Sequence, residues 1–145
     1  MKVAEIMSRN LWMIRLDTTL NEAAKMMREQ DVGALPVTDG EKIKGMLTDR
    51  DIVIRGIGAG KDPAATSARE AMTEKIRYVF DDDDVSKAAE AMSDKQIRRL
   101  VVLNRAKRMV GLVSMGDLCR QTDDEQLLVS VARCCSESTA QHAAH

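Results

Sequence analysis

An α/β fold of two pseudo-symmetric repeats, each a small three-stranded sheet with two helices, is predicted by three observations on this chain. The first is an internal duplication. Met7, Leu20, Ala23, Ala24, Met27 and Leu35 recur as Met72, Val85, Ala88, Ala89, Met92 and Leu100 at a constant offset of 65, and Gly45-Met46-Leu47-Thr48 recurs as Gly111-Leu112-Val113-Ser114 at 66. The second is a change of hydrophobic period within each copy, from helical spacing to short apolar runs. The third is turn and capping chemistry placed between those segments. A repeat this long, present only twice, predicts two similar units packed on each other rather than a solenoid.

The first strand of each copy falls near Trp12 to Leu16 and Tyr78 to Phe80. Thr19-Leu20-Asn21-Glu22 has the form of a capping box, in which the threonine hydroxyl caps the helix and Glu22 reaches back. Leu20, Ala23, Ala24 and Met27 then line one helical face, which Asp31-Val32-Gly33 should end. Leu35-Pro36-Val37 reads as a buried strand, Asp39-Gly40 as a turn, and Ile43 to Leu47 as the returning strand. Thr48-Asp49-Arg50-Asp51 opens a second helix whose apolar content is Ile52, Val53 and Ile54. In the second copy Asp84 caps the helix, Leu100 to Leu103 and Met109 to Val113 are strands, and Ser114 opens the last helix. The organisation expected is repeat one over 1–60, a linker over 61–67, repeat two over 68–122, a helix over 123–135 and a flexible tail over 136–145.

Composition bounds the function. The chain has 145 residues, a net charge of −1, 44% hydrophobic and 31% charged residues, ordinary for one soluble globular body. Near-neutral charge and 2% aromatic residues argue against nucleic acid and anionic membranes as partners. The amino terminus lacks the apolar stretch of a signal peptide, and no segment approaches a membrane span, so a cytoplasmic location is expected. Ten methionines fit core gaps between the repeats better than a dedicated pocket. Cys119, Cys134 and Cys135 are odd in number and lack metal-type spacing, which fits a reducing compartment. Cys134 and Cys135 can still cross-link chains if the tail is exposed. Asp81 to Asp84 could hold a divalent cation, and His142 and His145 could bind metal with Cys134 or Cys135, but a solvated loop and a frayed tail are the plainer readings, so no metal site is assigned.

The two ordered motif sets together resemble a tandem pair of CBS domains, a Bateman module. The residues that carry the resemblance are Ile6-Met7-Ser8, Ala34-Leu35-Pro36-Val37 and Gly45 to Asp51, with Arg98-Arg99-Leu100-Val101-Val102 and Gly111 to Asp117 in the second copy. It spans about residues 1–122. Gly45 to Lys61 with Asp62-Pro63 is further similar to small stand-alone bacterial CBS-pair proteins, which suggests a role in stress regulation. The resemblance implies packing of the repeats through their sheets, a non-catalytic sensor of an adenosine compound (AMP, ADP, ATP or S-adenosylmethionine), no required cofactor beyond that ligand with or without Mg, a homodimer, and a downstream protein partner that nothing in the chain identifies.

The Ser/Thr-x-x-Asp element suits a nucleoside on its own chemistry. An ionised Asp can accept from the two cis hydroxyls of ribose, and a Ser or Thr at a helix start can donate to phosphate. A lone copy would be a simple cap; two copies at one point of a repeat favour binding. By the resemblance, a preferred cleft would combine Thr18, Ala23 and Val32 with Arg99, Ser114 and Asp117. Asp117 would hold ribose, Val32 and Ala23 adenine, and Arg99, Thr18 and Ser114 phosphate, with Arg98 able to add charge. A second, weaker cleft would combine Ala88, Ile97 and Asp83 with Ala34, Thr48 and Asp51. There Ala34 replaces the arginine and Asp83 replaces Thr18, so phosphate is repelled unless Arg50 or a cation compensates. The competing readings are an enzyme, for which the chain shows no nucleophile–base pair or phosphate-cradling glycine loop, and a scaffold or redox-responsive stress protein with a vestigial cleft.

Overall fold

The computed structural model describes residues 1–9, 11–121, 125–127 and 129. The chain forms two compact units: residues 12–76, called the first unit, and residues 1–11 with Arg77 onward, called the second. Each holds one three-stranded mixed sheet with helices, the α/β architecture expected.

In the first unit the sheet order is β1 (Ile14–Arg15), β2 (Ala34–Thr38), β3 (Ile43–Thr48). β1 runs parallel to β2 and β3 antiparallel to it. α1 (Leu20–Gln30) crosses between β1 and β2. Its capping box forms as the sequence predicts: Thr19 Oγ1 accepts from the Glu22 N–H at 3.2 Å, and Glu22 Oε2 accepts from the Thr19 N–H at 3.3 Å. The helix stops where Asp31 takes a left-handed conformation, φ 53°. Leu20, Ala23 and Met27 turn inward to meet Ile14, Leu35, Val37 and Leu47. Burial of each large side chain there contributes roughly 1.5–3 kcal/mol.

The second unit repeats this plan with β4 (Tyr78–Phe80), α4 (Val85–Lys95), β5 (Arg99–Leu103), β6 (Met109–Ser114) and α5 (Met115–Gln121). Asp84 caps α4 through the Ser86 N–H, and Gln96 ends it in the same left-handed conformation as Asp31, φ 52°. One difference between the sheets follows from Pro36. Its counterpart Val101 donates its N–H to the Arg77 carbonyl at 3.1 Å, which extends β4 to three residues. Proline has no N–H to give, and β1 is two residues long.

The compact units are offset from the sequence repeats. Residues 66–73, including the short helix α3 (Ala68–Ala71), close the first unit: Ala68 N–H bonds to Thr18 O, Arg69 N–H to Leu16 O, and Thr73 exchanges N–H···O bonds with Met46. Residues 1–8 close the second unit through the counterpart bonds, Val3 to Asp83, Ala4 to Asp81, and Ser8 with Leu112. The leading Ile6 and Met7 of the first sequence copy therefore lie in the core of Val79, Val85, Met92 and Leu100. Gly45 and Gly111 make these contacts possible. A Cβ at Gly45 would come within 2.6 Å of Thr73 O, and one at Gly111 within 2.7 Å of Ser8 O.

The helix after β3 departs from expectation. α2 (Asp49–Asp51) gives way at once to a π-helical turn over Ile52–Ile57, with Gly58 N–H bonded to Val53 O and Lys61 N–H to Gly56 O, five residues back. Of the three residues predicted as the helix's apolar content, Ile52 alone is buried; Val53 and Ile54 are exposed, as is Ile57. Consecutive helical residues point about 100° apart, so one face cannot hold all three. Of the helix predicted over 123–135, residues 125–127 and 129 are helical and Leu127 packs on the second unit's core; the remainder, with Cys134 and Cys135, lies outside the described residues, as do His142, His145 and the tail over 136–145.

Candidate functional site

Each unit carries one strand-to-helix corner with the Ser/Thr-x-x-Asp element. In the second unit, β6 ends at Ser114 and α5 begins. Ser114 Oγ accepts from the Asp117 N–H at 3.1 Å, and Asp117 Oδ2 accepts from the Ser114 N–H at 2.8 Å. This is reciprocal capping, so the capping reading of the motif is true. It does not exhaust the groups. The Ser114 hydroxyl keeps its proton to donate, and Asp117 Oδ1 is the oxygen left for another partner. That oxygen is taken by Arg120 Nη2 at 2.5 Å, in an ion pair whose arginine is 67% exposed.

Arg99 is the register partner of Ser114 across the β5–β6 ladder. Directly opposed residues of an antiparallel pair project on one face, with Cβ atoms roughly 4.5–5.5 Å apart. The corner therefore gathers a hydroxyl, a carboxylate and the exposed Arg99, whose guanidinium has no hydrogen-bond or ion-pair partner among the described residues. Of the remaining second-unit candidates, Ala88 is fully buried on α4 and Ile97 packs half-buried against the core.

The first unit builds the same corner with different chemistry. Thr48 Oγ1 accepts from the Asp51 N–H at 3.1 Å and Asp51 Oδ2 from the Thr48 N–H at 3.0 Å. The strand position opposite Thr48 is Ala34, 6% exposed. Asp51 is buried, and its Oδ1 lies 4.0 Å from Arg55 Nε, while Arg55 Nη1 donates to the Met72 carbonyl at 3.1 Å. Val32, half-buried, precedes this corner. Thr18 lies elsewhere, past the far end of β1, where its hydroxyl accepts from the Arg15 N–H at 3.0 Å; Ala23 is buried on α1. Arg50 is exposed, with its N–H on Asp49.

Three of the four aspartate side chains in the Asp81–Asp84 run have partners among the described residues of the second unit. Asp82 pairs with Arg105, and that hydrogen bond lowers its pKa below the usual carboxylate range. Asp83 accepts from the Phe80 N–H at 2.8 Å and pairs with Lys87 at 3.5 Å. Asp84 caps α4, a bond to the Ser86 N–H that lowers its pKa, and it pairs with the amino terminus. Among the described residues no group of three His, Cys, Asp or Glu side chains could hold a metal ion. Cys119 is an exposed free thiol. No helix among the described residues is long and apolar enough to cross a membrane.

Arg55 and Arg120 escaped the sequence reading. Their signal was present, since each follows its motif aspartate by one helical turn, at i+4 for Arg55 and i+3 for Arg120.

The geometry agrees with what the chain is similar to. The CBS domain family matches residues 3–57 and 68–123. Hypoxic response protein 1 of Mycobacterium tuberculosis is 37% identical over 133 residues, 91% of this chain and 92% of that protein. The crystal structure of Hypoxic Response Protein I with two coordinated zinc ions superposes with a TM-score of 0.76 at 37% identity, covering 84% of this chain and 99% of that one. The CBS domain pair of protein MJ0100, in complex with 5′-methylthioadenosine and S-adenosyl-L-methionine, superposes with a TM-score of 0.73 at 26% identity, over 83% and 98% of the two chains. With both corners in place and two matched segments spanning most of its length, this chain belongs to the CBS-domain family and carries two CBS domains.

Proposed function

We propose that the protein is a regulatory module that binds an adenosine compound at its two strand-to-helix corners and reports occupancy through a change of conformation rather than by catalysis. The observation that carries this reading is the Arg99–Ser114–Asp117 corner. It sets a carboxylate for ribose hydroxyls beside a hydroxyl and an uncommitted guanidinium for phosphate. The adenosine compounds bound by the MJ0100 CBS pair support the ligand class. A phosphorylated ligand of the AMP, ADP or ATP type is assigned to this corner. The Thr48–Asp51 corner, with Ala34 opposite, is assigned weaker binding or an uncharged or cationic adenosine compound. A ligand shifts the module only by its difference in affinity for two states.

We assign the exposed Val53, Ile54 and Ile57 face, 54–59% accessible, to a second copy of the chain in a homodimer. The likeness to Hypoxic response protein 1 supports a place in stress physiology.

Calorimetric titration of folded, ligand-free protein with AMP, ATP and S-adenosylmethionine, with and without Mg²⁺, tests the reading. Saturable binding that Asp117→Ala weakens by about ten- to hundredfold, the scale of a lost charged hydrogen bond or two, is expected. Absence of binding to every compound sinks it and leaves a scaffold or redox role.

A further inference from the structure

We propose that the first unit holds a separate ligand site, a surface basin for a phosphate monoester whose organic part carries hydroxyl groups. A cavity of about 430 Å³ opens between the end of β1, the β2–β3 turn and the segment around α3, and is lined by Arg15, Asp17, Thr38, Asp39, Ser67 and Arg69. None of these belongs to either candidate corner. The volume exceeds that of a bare oxyanion and falls within the range of small-molecule sites.

The charge inventory selects the ligand. Asp39 is already spent: its Oδ1 accepts from the Glu41 and Lys42 N–H groups at 2.9 and 2.8 Å, and its Oδ2 pairs with Lys44 at 3.6 Å. Those backbone bonds hold its pKa at about 2, so it stays ionised and occupied. The Thr38 hydroxyl donates to the Lys42 carbonyl, and the Ser67 hydroxyl bonds to Glu70. What remains is two guanidiniums, of Arg15 and Arg69, and the carboxylate of Asp17. Among the described residues none of the three has a hydrogen-bond or ion-pair partner from its side chain. Two arginine forks match the charge and the spread oxygens of a phosphate dianion. An unpaired carboxylate beside them accepts hydroxyl donors, which favours a sugar phosphate over a simple anion.

The second unit shows that the fold does not create this basin by itself. At the counterpart positions Arg15 is Phe80, Asp17 is Asp82, Gly40 is Arg105 and Arg69 is Ala4. There the Arg105 Nε donates to both Asp82 oxygens at 3.0 Å, and its guanidinium stacks 4.1 Å above the Phe80 ring. That corner satisfies its own charges. In the first unit Gly40, φ 108°, clears the space, and a Cβ there would approach Arg15 Nη1 to 2.9 Å.

The test is titration of the full chain with ribose 5-phosphate, with inorganic phosphate as the reference probe. Ribose 5-phosphate should bind saturably and more tightly than inorganic phosphate. Arg15→Gln and Arg69→Gln should each weaken it by about tenfold or more, with thermal unfolding midpoints unchanged because both side chains are exposed. Arg15→Phe, which copies the second unit, should do the same. Because ribose 5-phosphate also carries the groups assigned to the adenosine corners, the titration is repeated in the Asp51→Ala/Asp117→Ala double variant, where the saturable binding that Arg15→Gln and Arg69→Gln weaken should persist. No saturable binding in the double aspartate variant, or binding there that survives both arginine changes, overturns the proposal.

Discussion

The corners at Ser114 and Thr48 share a backbone path, a capping geometry within about 0.2 Å and an arginine on the following helical turn. They differ at the strand position opposite the hydroxyl, Arg99 in one and Ala34 in the other. Capping is what the fold requires of Ser/Thr-x-x-Asp, so it is present twice and carries no information about the ligand. The residue across the ladder is free of that duty, and there the two copies diverge. Structural demand and ligand choice thus sit on neighbouring strands of one corner.

The comparison breaks most sharply on Arg99→Ala, which gives the second unit the composition of the first. AMP and ATP affinity should fall by about ten- to hundredfold while binding of unphosphorylated adenosine is retained, read by calorimetry. An equal loss for adenosine would mean that Arg99 does not face phosphate. A smaller effect on stability should be symmetric. Gly45→Ala and Gly111→Ala place a methyl group against the carbonyls of Thr73 and Ser8, and each should cost about 1–3 kcal/mol in urea unfolding. A neutral result at either position would show that its closing segment can yield. The smallest effect concerns the arginine latches. Arg120 occupies the Asp117 oxygen that ribose would use, so Arg120→Ala should tighten nucleotide binding by up to about fivefold, the scale of an exposed ion pair. Arg55→Ala should change less, because its pair with Asp51 spans 4.0 Å and Arg55 is also held by the Met72 carbonyl. Weaker binding in Arg120→Ala would instead make that arginine a ligand contact.

Local chemistry was legible in the sequence wherever one segment decides its own conformation. The Thr19–Glu22 box, the Asp39-Gly40 turn, the helix end at Asp31, the Asp84 cap and both three-stranded sheets lie where period and capping place them. The π-helical turn after Asp51 was not legible in local period; it lies where Gly56 packs so closely on Leu20, far away in the chain, that an added Cβ would come within 2.7 Å of Leu20 Cδ1. The arginine basin was hidden for the same reason: Arg15 and Arg69 come together only when the segment at 66–73 docks. The corners themselves were found through the duplication. Asp83 and its counterpart Thr18 each accept the backbone N–H three residues back, a turn bond that position in the repeat alone does not reveal.

The offset between sequence repeats and compact units makes this chain a natural candidate for splitting in two. A cut at Gly60, on the surface, would leave a fragment 1–60 that carries β1–β3 for one core together with Val3, Ile6 and Met7 for the other. The fragment 61–145 would carry Ala68, Ala71 and Met72 for the first core and most of the second. Neither piece could complete a hydrophobic interior alone, and each would supply what its counterpart lacks. Two such halves, produced separately, should reconstitute on mixing, so that recovery of ligand binding becomes a readout of their meeting.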